Sequence, residues 1–333
     1  MKTQAVVFPR ANRVELADVT VPEPQADEAL VRSIWSWISN GTEGSYLRGE
    51  RSDGESPSSQ ARPAPFPIVP GYQRVGEVTW AGPESGVTAG MLVFATMTRV
   101  ESMAVAAGGH VLHGPVHRNQ LWPLPAAPPP EAFAGLVLTQ VGFNCGQRPA
   151  IQPGDGAVVI GDGLVGQWSA QTLQQRGARV LLLGRHPSRL QRFRLGESDA
   201  VANEREGDEV NAVRAWAPEG LAAVVDTVGS VAGLEQLFPL LRHHGHLVSA
   251  GYHAVDGRFD IQMLRKREAT LHAPSGWSRP RMDTTLEWVR DGRLETLGLV
   301  TDRLPAREVA TAWERIRTDR DTLGVLLDWR ELW

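Results

Sequence analysis

Three glycines at the spacing G-x-G-x-x-G, Gly161, Gly163 and Gly166, follow directly on the apolar run Ala157-Val158-Val159-Ile160. Such a run, rich in β-branched residues, reads as a buried parallel strand. Residues 167–176 then read as a helix. In a strand–turn–helix unit of this kind the first glycine permits the tight turn. The second lets the backbone approach a pyrophosphate, and the third lets helix and strand pack closely. Leu164 and Val165 lie where the helix start offers free N–H groups and partial positive charge to phosphates. The chemistry implied is dinucleotide binding; an ordinary glycine-rich βα turn is the alternative. A ribose with a free 2′-hydroxyl calls for an acid at the end of the next strand. That strand, residues 179–183, instead runs into Gly184-Arg185-His186-Pro187-Ser188-Arg189, with no carboxylate before Glu197. Gly184 makes room there, and Arg185 and Arg189 can hold a 2′-phosphate by charge-assisted hydrogen bonds. The segment predicts NADPH as cofactor; two solvated cations at a helix start are the alternative.

The elements that must carry these residues alternate. Strands are expected at residues 157–160, 179–183, 222–226 and 246–250, and helices at 167–176, 187–194 and 231–241. This rhythm implies a parallel sheet with right-handed crossovers. Residues 1–125 read instead as β-rich, with strands at 5–8, 29–34, 75–80 and 91–95. A polar, Ser- and Pro-rich surface loop covers 51–67, and a helix follows at 132–145. Beyond residue 271 the alternation stops, with helices at 282–291 and 307–318 and a closing strand at 323–327. The simplest organisation is an α/β chain in which a Rossmann domain, residues 142–272, is inserted into a β-rich domain made of 1–141 and 273–333.

Composition narrows the class. Of 333 residues, 42% are hydrophobic and 22% charged, as in a soluble globular protein. A net charge of −4 offers no basic surface for nucleic acid or anionic membrane. The first residues contain no long apolar segment of the signal-peptide type, and no stretch approaches the roughly 18 apolar residues of a membrane span. The single cysteine, Cys145, excludes an intramolecular disulfide and a multi-cysteine zinc lobe. A cytoplasmic setting is expected.

Three further motifs carry a resemblance: Ile38-Ser39-Asn40-Gly41-Thr42-Glu43, Pro70-Gly71-Tyr72-Gln73-Arg74-Val75-Gly76-Glu77-Val78, and Ile151-Gln152-Pro153-Gly154-Asp155. With the glycine fingerprint, their order resembles the medium-chain dehydrogenase/reductase superfamily over nearly the whole chain. The I-S-x-G-T-E wording and the ending Val325-Leu326-Leu327-Asp328-Trp329-Arg330 are similar to the bacteriochlorophyllide a dehydrogenase branch. The resemblance implies a GroES-like catalytic domain beside the Rossmann domain, and a homodimer or homotetramer joined through the sheet edge near residues 251–271. It also implies cofactor contacts at Val228, at Gly251 and Tyr252, and at Ala273, Pro274 and Ser275. The G-x-H pattern around His186 is similar to that of NADP-preferring members. Gly324 stands where a basic residue often faces the pyrophosphate.

Where zinc-dependent members carry metal ligands, this chain has Asn40, Tyr72, Gln73 and, roughly, Val137. Amide, phenol and isopropyl groups cannot replace thiolate, imidazole or carboxylate, so no metal is expected. A carbonyl oxygen must then be polarised by side-chain donors. Thr42 matches the proton-relay position, and Ser45 can pass the proton toward solvent. Asn40 can donate an amide hydrogen bond, and Tyr72 can act as general acid, its pKa lowered beside a cationic ring. Each has a plainer reading, in turn hydrogen bonding or packing. Trp35, Tyr46, His110 and Trp277 are the expected pocket walls, suited to a small cyclic or apolar substrate. The leading expectation is a zinc-independent, NADPH-dependent reductase of a ketone or aldehyde, running also in reverse. A quinone or enoyl (C=C) reductase, an imine reductase and a non-catalytic NADPH-binding protein are the alternatives.

Overall fold

The computed structural model describes residues 1–51, 63–253 and 257–333. Most of the 51–67 loop, and part of the 251–271 edge, fall outside those residues. The chain divides into two compact units, Met1–Val137 with Leu299–Trp333, and Leu138–Gly298. The fold class is α/β, with a parallel Rossmann sheet in the second unit and a separate mixed sheet in the first.

In the second unit six parallel strands stand in the order Ala200–Asn203, Arg179–Gly184, Gly156–Ile160, Leu221–Asp226, Leu241–Ser249, Thr270–His272. Both faces are covered, and alternate side chains part to opposite sides as the strand period of two requires. Val159, Val180, Leu182 and Val225 pack with Ala170 and Leu173 of the helix Leu164–Gln175. Val158, Leu181, Leu183 and Val224 pack with Val213, Leu234 and Leu237 on the other side. The strand Ala200–Asn203 and the helix Glu209–Trp216 were not expected from the sequence.

The second unit also extends past residue 272, where the sequence reading closed it. Trp168 Nε1 donates to the Glu295 carbonyl at 3.0 Å, and Glu295 N–H donates to Gln171 Oε1 at 2.8 Å. Phe143 meets Trp288 edge-on, with ring centroids 4.9 Å apart. These contacts tie the helix Arg279–Arg290 to the Rossmann helices rather than to the β-rich unit.

The first unit is built on a sheet running Val300–Pro305, Gly324–Asp328, Glu28–Trp37, Arg74–Ala81, Leu92–Ala95, Leu121–Pro123, with His113–His117 also paired to Glu28–Trp37. Its last-strand Gly324 has no room for a side chain, because a Cβ there would lie 2.5 Å from the Leu299 carbonyl and 2.6 Å from Trp37. The missing basic residue at that position is thus a matter of packing. Among the described residues no helix is long and apolar enough to cross a membrane.

Candidate active site

The glycine turn has the backbone that its spacing predicts. Gly161 sits at φ +112°, a region costly for any side chain. A Cβ on Gly166 would fall 1.9 Å from the Gly161 carbonyl oxygen, whereas one on Gly163 would meet nothing within 4 Å. Gly163 caps the helix Leu164–Gln175 with no side-chain hydrogen bond, so the helix's first N–H groups stay available to a phosphate. The donor set therefore fits a pyrophosphate. Two substitutions separate fold from binding. Gly166→Ala is expected to cost about 2 kcal/mol or more through backbone overpacking. Gly163→Ala is expected to stay within about 1 kcal/mol of wild-type stability. It should nevertheless weaken nucleotide binding about tenfold, by blocking backbone approach to a charged group. Thermal melts and calorimetric titration with the dinucleotide check both; equal behaviour of the two variants contradicts the assignment.

Beside this turn lies a cavity of about 540 Å³, lined by Ile160, Leu183, Arg185, Glu204, Arg205, Asp208, Glu209, Val228 and Ser230 among others. Arg185 and Val228 both line this cavity. Arg189 does not. Its side chain turns inward, with Nη1 3.8 Å from Asp162 Oδ1, and the second cation of the cavity wall is Arg205. The cause is Asp162, the residue between the first two glycines. Its carboxylate accepts the N–H of Arg185 at 2.7 Å and of His186 at 2.8 Å, and His186 Nδ1 lies 3.0 Å away. A Cβ on Gly184 would lie 2.6 Å from that carboxylate, which explains the glycine.

At the end of the strand Leu221–Asp226, the fully buried Asp226 carboxylate accepts the N–H groups of Val228, Gly229 and Ser230 at 3.0 to 3.1 Å. Burial raises its pKa despite these bonds. Gly251 lies so close to this loop that a Cβ would sit 1.8 Å from Gly229 N. Tyr252 is half exposed, Ala273 and Ser275 are exposed, and Pro274 is partly buried.

In the first unit the I-S-x-G-T-E motif forms the start of the helix Asn40–Leu47, with Ser39 at its N-cap. Glu43 reaches back one turn, and its Oε1 accepts the Ser39 N–H at 2.7 Å. The Tyr72 hydroxyl donates to Ser39 Oγ at 2.7 Å and also hydrogen-bonds the Thr42 side chain. Three hydroxyls thus meet at one helix start. Ser39 was not singled out in the sequence, although it lies inside the motif.

Behind them runs a buried polar chain. Glu43 Oε2 lies 2.9 Å from His110 Nε2, His110 Nδ1 lies 2.8 Å from Ser36 Oγ, and Trp329 Nε1 donates to the same Ser36 oxygen at 2.8 Å. Every donor in this chain finds an acceptor when the ring proton sits on Nε2 and Ser36 donates to Nδ1. Gly71, at φ +85°, makes room for the imidazole, since its Cβ would lie 2.6 Å from His110 Cδ2.

Several expectations are corrected here. Burial raises the Tyr72 pKa to about 12, a shift opposite to the one a neighbouring cationic ring exerts. The Asn40 amide already donates to the Leu323 carbonyl at 2.7 Å, and its buried Oδ1, with no partner among the described residues, is an acceptor. Ser45 is buried and its hydroxyl donates to the Thr42 carbonyl at 2.7 Å, so it closes its own helical turn instead of leading to solvent. His110 is fully buried in the chain just described. Trp35 is buried with Arg330 over its ring at 4.8 Å, and Tyr46 packs against the cluster around Phe8 and Trp313. Of the expected pocket walls only Trp277 presents an exposed ring. Among the zinc-ligand positions, Gln73 is fully buried and donates to the Trp37 carbonyl at 3.2 Å, and Val137 is buried apolar packing. No group of three His, Cys, Asp or Glu able to hold a metal occurs among the described residues.

A family model described as zinc-binding dehydrogenase matches residues 165–291. The 2-desacetyl-2-hydroxyethyl bacteriochlorophyllide A dehydrogenase of Rhodobacter capsulatus is 27% identical over 343 residues, spanning 99% of each chain. A dehydrogenase structure from Sinorhizobium meliloti bound to NADP aligns with TM-score 0.82 at 18% identity, covering 98% of this chain and 99% of that one. An alcohol dehydrogenase structure from Escherichia coli complexed with NADH aligns with TM-score 0.83 at 18% identity and the same coverage. The structural likenesses establish the fold.

Proposed function

Because the chain belongs to the medium-chain dehydrogenase/reductase superfamily, we propose that it reduces a ketone or aldehyde to an alcohol, or runs the reverse, with NADPH and without zinc. The observation that carries this reading is the Tyr72 hydroxyl on Ser39 Oγ at 2.7 Å, beside Thr42, with Tyr72 itself at a position where the resemblance implies a zinc ligand in zinc-dependent members. When bound, the nicotinamide supplies the hydride. The glycine turn and the start of the helix Leu164–Gln175 hold the pyrophosphate, and Arg185 and Arg205 face the adenosine end with its 2′-phosphate.

The protein's remaining tasks are to polarise the carbonyl oxygen and deliver a proton. Tyr72 does both. With its pKa near 12 the phenol is protonated throughout the neutral range and serves as the donor. To reach a carbonyl the Tyr72 proton leaves Ser39 Oγ, and a solvent proton passed through the partly exposed Thr42 hydroxyl replaces it. In the reverse direction Asn40 Oδ1, without a partner among the described residues, orients the alcohol by accepting a hydrogen bond, and the alcohol proton goes to the deprotonated Tyr72 oxygen. With Trp35, Tyr46 and His110 packed inside, the preference for a cyclic or apolar substrate rests on Trp277. A soluble cytoplasmic enzyme acting as a homodimer or homotetramer is part of this reading.

The test is turnover by the pure chain with NADPH or NADH against ketones, aldehydes, quinones, enones and imines, before and after treatment with a strong chelator. Alcohol formation from a carbonyl, with NADPH preferred and the chelator without effect, is expected. Turnover of quinones or imines alone, zinc-restored activity, or preference for NADH overturns the corresponding part.

A further inference from the structure

We propose that Glu204 tunes the preference for a phosphorylated nucleotide, by competing with the 2′-phosphate for the Arg185 guanidinium. The inference rests on the NADPH reading above and concerns the same cavity.

Three observations support it. First, Glu204 is fixed beside the end of the strand Arg179–Gly184, because its N–H donates to the Gly184 carbonyl at 2.8 Å. Second, its Oε2 holds Arg185 Nε at 2.8 Å, while the Arg185 backbone is pinned by Asp162. Third, the exposures differ. The Glu204 side chain is 13% exposed and that of Arg185 is 61% exposed, so the acid is the anchor and the arginine the movable arm. Both line the cavity, together with Arg205, Asp208 and Glu209.

The ionic groups facing Arg185 are Glu204, Glu209 and Asp162, which together strengthen its hold on a proton. A 2′-phosphate that recruits Arg185 must either break the Nε bond to Glu204 or share the guanidinium with it through the Nη groups alone. It must also lie near carboxylates whose charge opposes its own. A nucleotide with a free 2′-hydroxyl meets neither cost. Glu204 therefore weakens selection for the phosphorylated form, and Arg185 is the residue through which it acts. The sequence reading, which searched for an acid only at the end of the second strand, passed over this one just beyond the third.

The test uses the full-length chain and two nucleotide fragments, 2′,5′-ADP and 5′-AMP, titrated calorimetrically. Variants are Glu204→Gln, Arg185→Gln and the double substitution, each checked by thermal melting. Glu204→Gln is expected to tighten 2′,5′-ADP about five-fold, the scale of one solvent-facing ion pair. It should leave 5′-AMP within about two-fold, and Arg185→Gln should cancel the gain in the double variant. Equal tightening of both fragments, no tightening, or a gain that survives loss of Arg185 overturns the inference alone. A wild-type chain that binds the two fragments equally, with Arg185→Gln changing neither, overturns the phosphorylated-nucleotide reading and this inference with it.

Discussion

Tyr72→Phe is expected to lower carbonyl reduction roughly 10²- to 10³-fold, the range attributable to one positioned proton donor. The substitution keeps the ring and removes only the hydroxyl that donates to Ser39 at 2.7 Å. Nucleotide affinity should stay at the wild-type value, because the glycine turn proposed to hold the phosphates belongs to the other unit. The loss should therefore fall on kcat rather than on cofactor binding. The pH profile has a definite sign. Burial raises the phenol to about 12, so reduction shows no alkaline limb from Tyr72 until that region. The same shift makes a stability contribution that is complete below the ordinary phenol pKa near 10 and declines as pH rises toward 12. Steady-state kinetics of wild type and variant over pH check this, with alkaline melts beside them. A fully active Tyr72→Phe enzyme would transfer the donor role to Thr42.

Glu43→Ala is expected to destabilise the chain by about 2–4 kcal/mol, the cost of leaving two buried donors, His110 Nε2–H and the Ser39 N–H, without their carboxylate acceptor. Glu43 and His110 are 1% and 0% exposed, and Glu43 also accepts the N-cap N–H of Ser39. Truncation leaves both donors without their acceptor in the interior. Glu43→Gln keeps an acceptor for Ser39 and should lose less. Because Ser39 holds the Tyr72 hydroxyl, reduction should fall along with stability. Denaturant unfolding of the two variants, and a cycle with His110→Ala, measure the pair directly. A Glu43→Ala chain that unfolds like wild type would remove the buried pair from any structural role.

The Rossmann core was legible because its signals are local. The run Ala157–Ile160 and the three glycines lie within ten residues, and alternate apolar positions belong to opposite faces. The strand Ala200–Asn203 was not legible, being four half-buried residues at the sheet edge. The helix Glu209–Trp216 was missed although Asp208 caps it through the Asn211 N–H, a signal present in the sequence. The turn between those two elements and the start of the helix supply Glu204, Arg205, Asp208 and Glu209, so that wall of the cavity was missed with them. The Arg189 side chain lies beside Asp162, which only the folded chain brings next to Gly184, and so stands off the cavity wall that Arg185 lines. His110 sits 67 residues from Glu43 and 74 from Ser36, a closure no local pattern encodes. Trp35 and Tyr46 show the limit of residue type as a guide, since aromatic rings suit a core as well as a pocket.

Asp226 clasps the N–H groups of Val228, Gly229 and Ser230, while Gly251 abuts Gly229 backbone to backbone. The segments leaving two neighbouring strands are thereby welded into one rigid ledge. Neither segment can be remodelled alone: a bulkier residue at 251 must displace the 228–230 turn, and a shift of that turn must drag residue 251 along. Side-chain exchanges that leave the main chain undisturbed are then found on the other cavity wall, at residues such as Arg185 and Glu204.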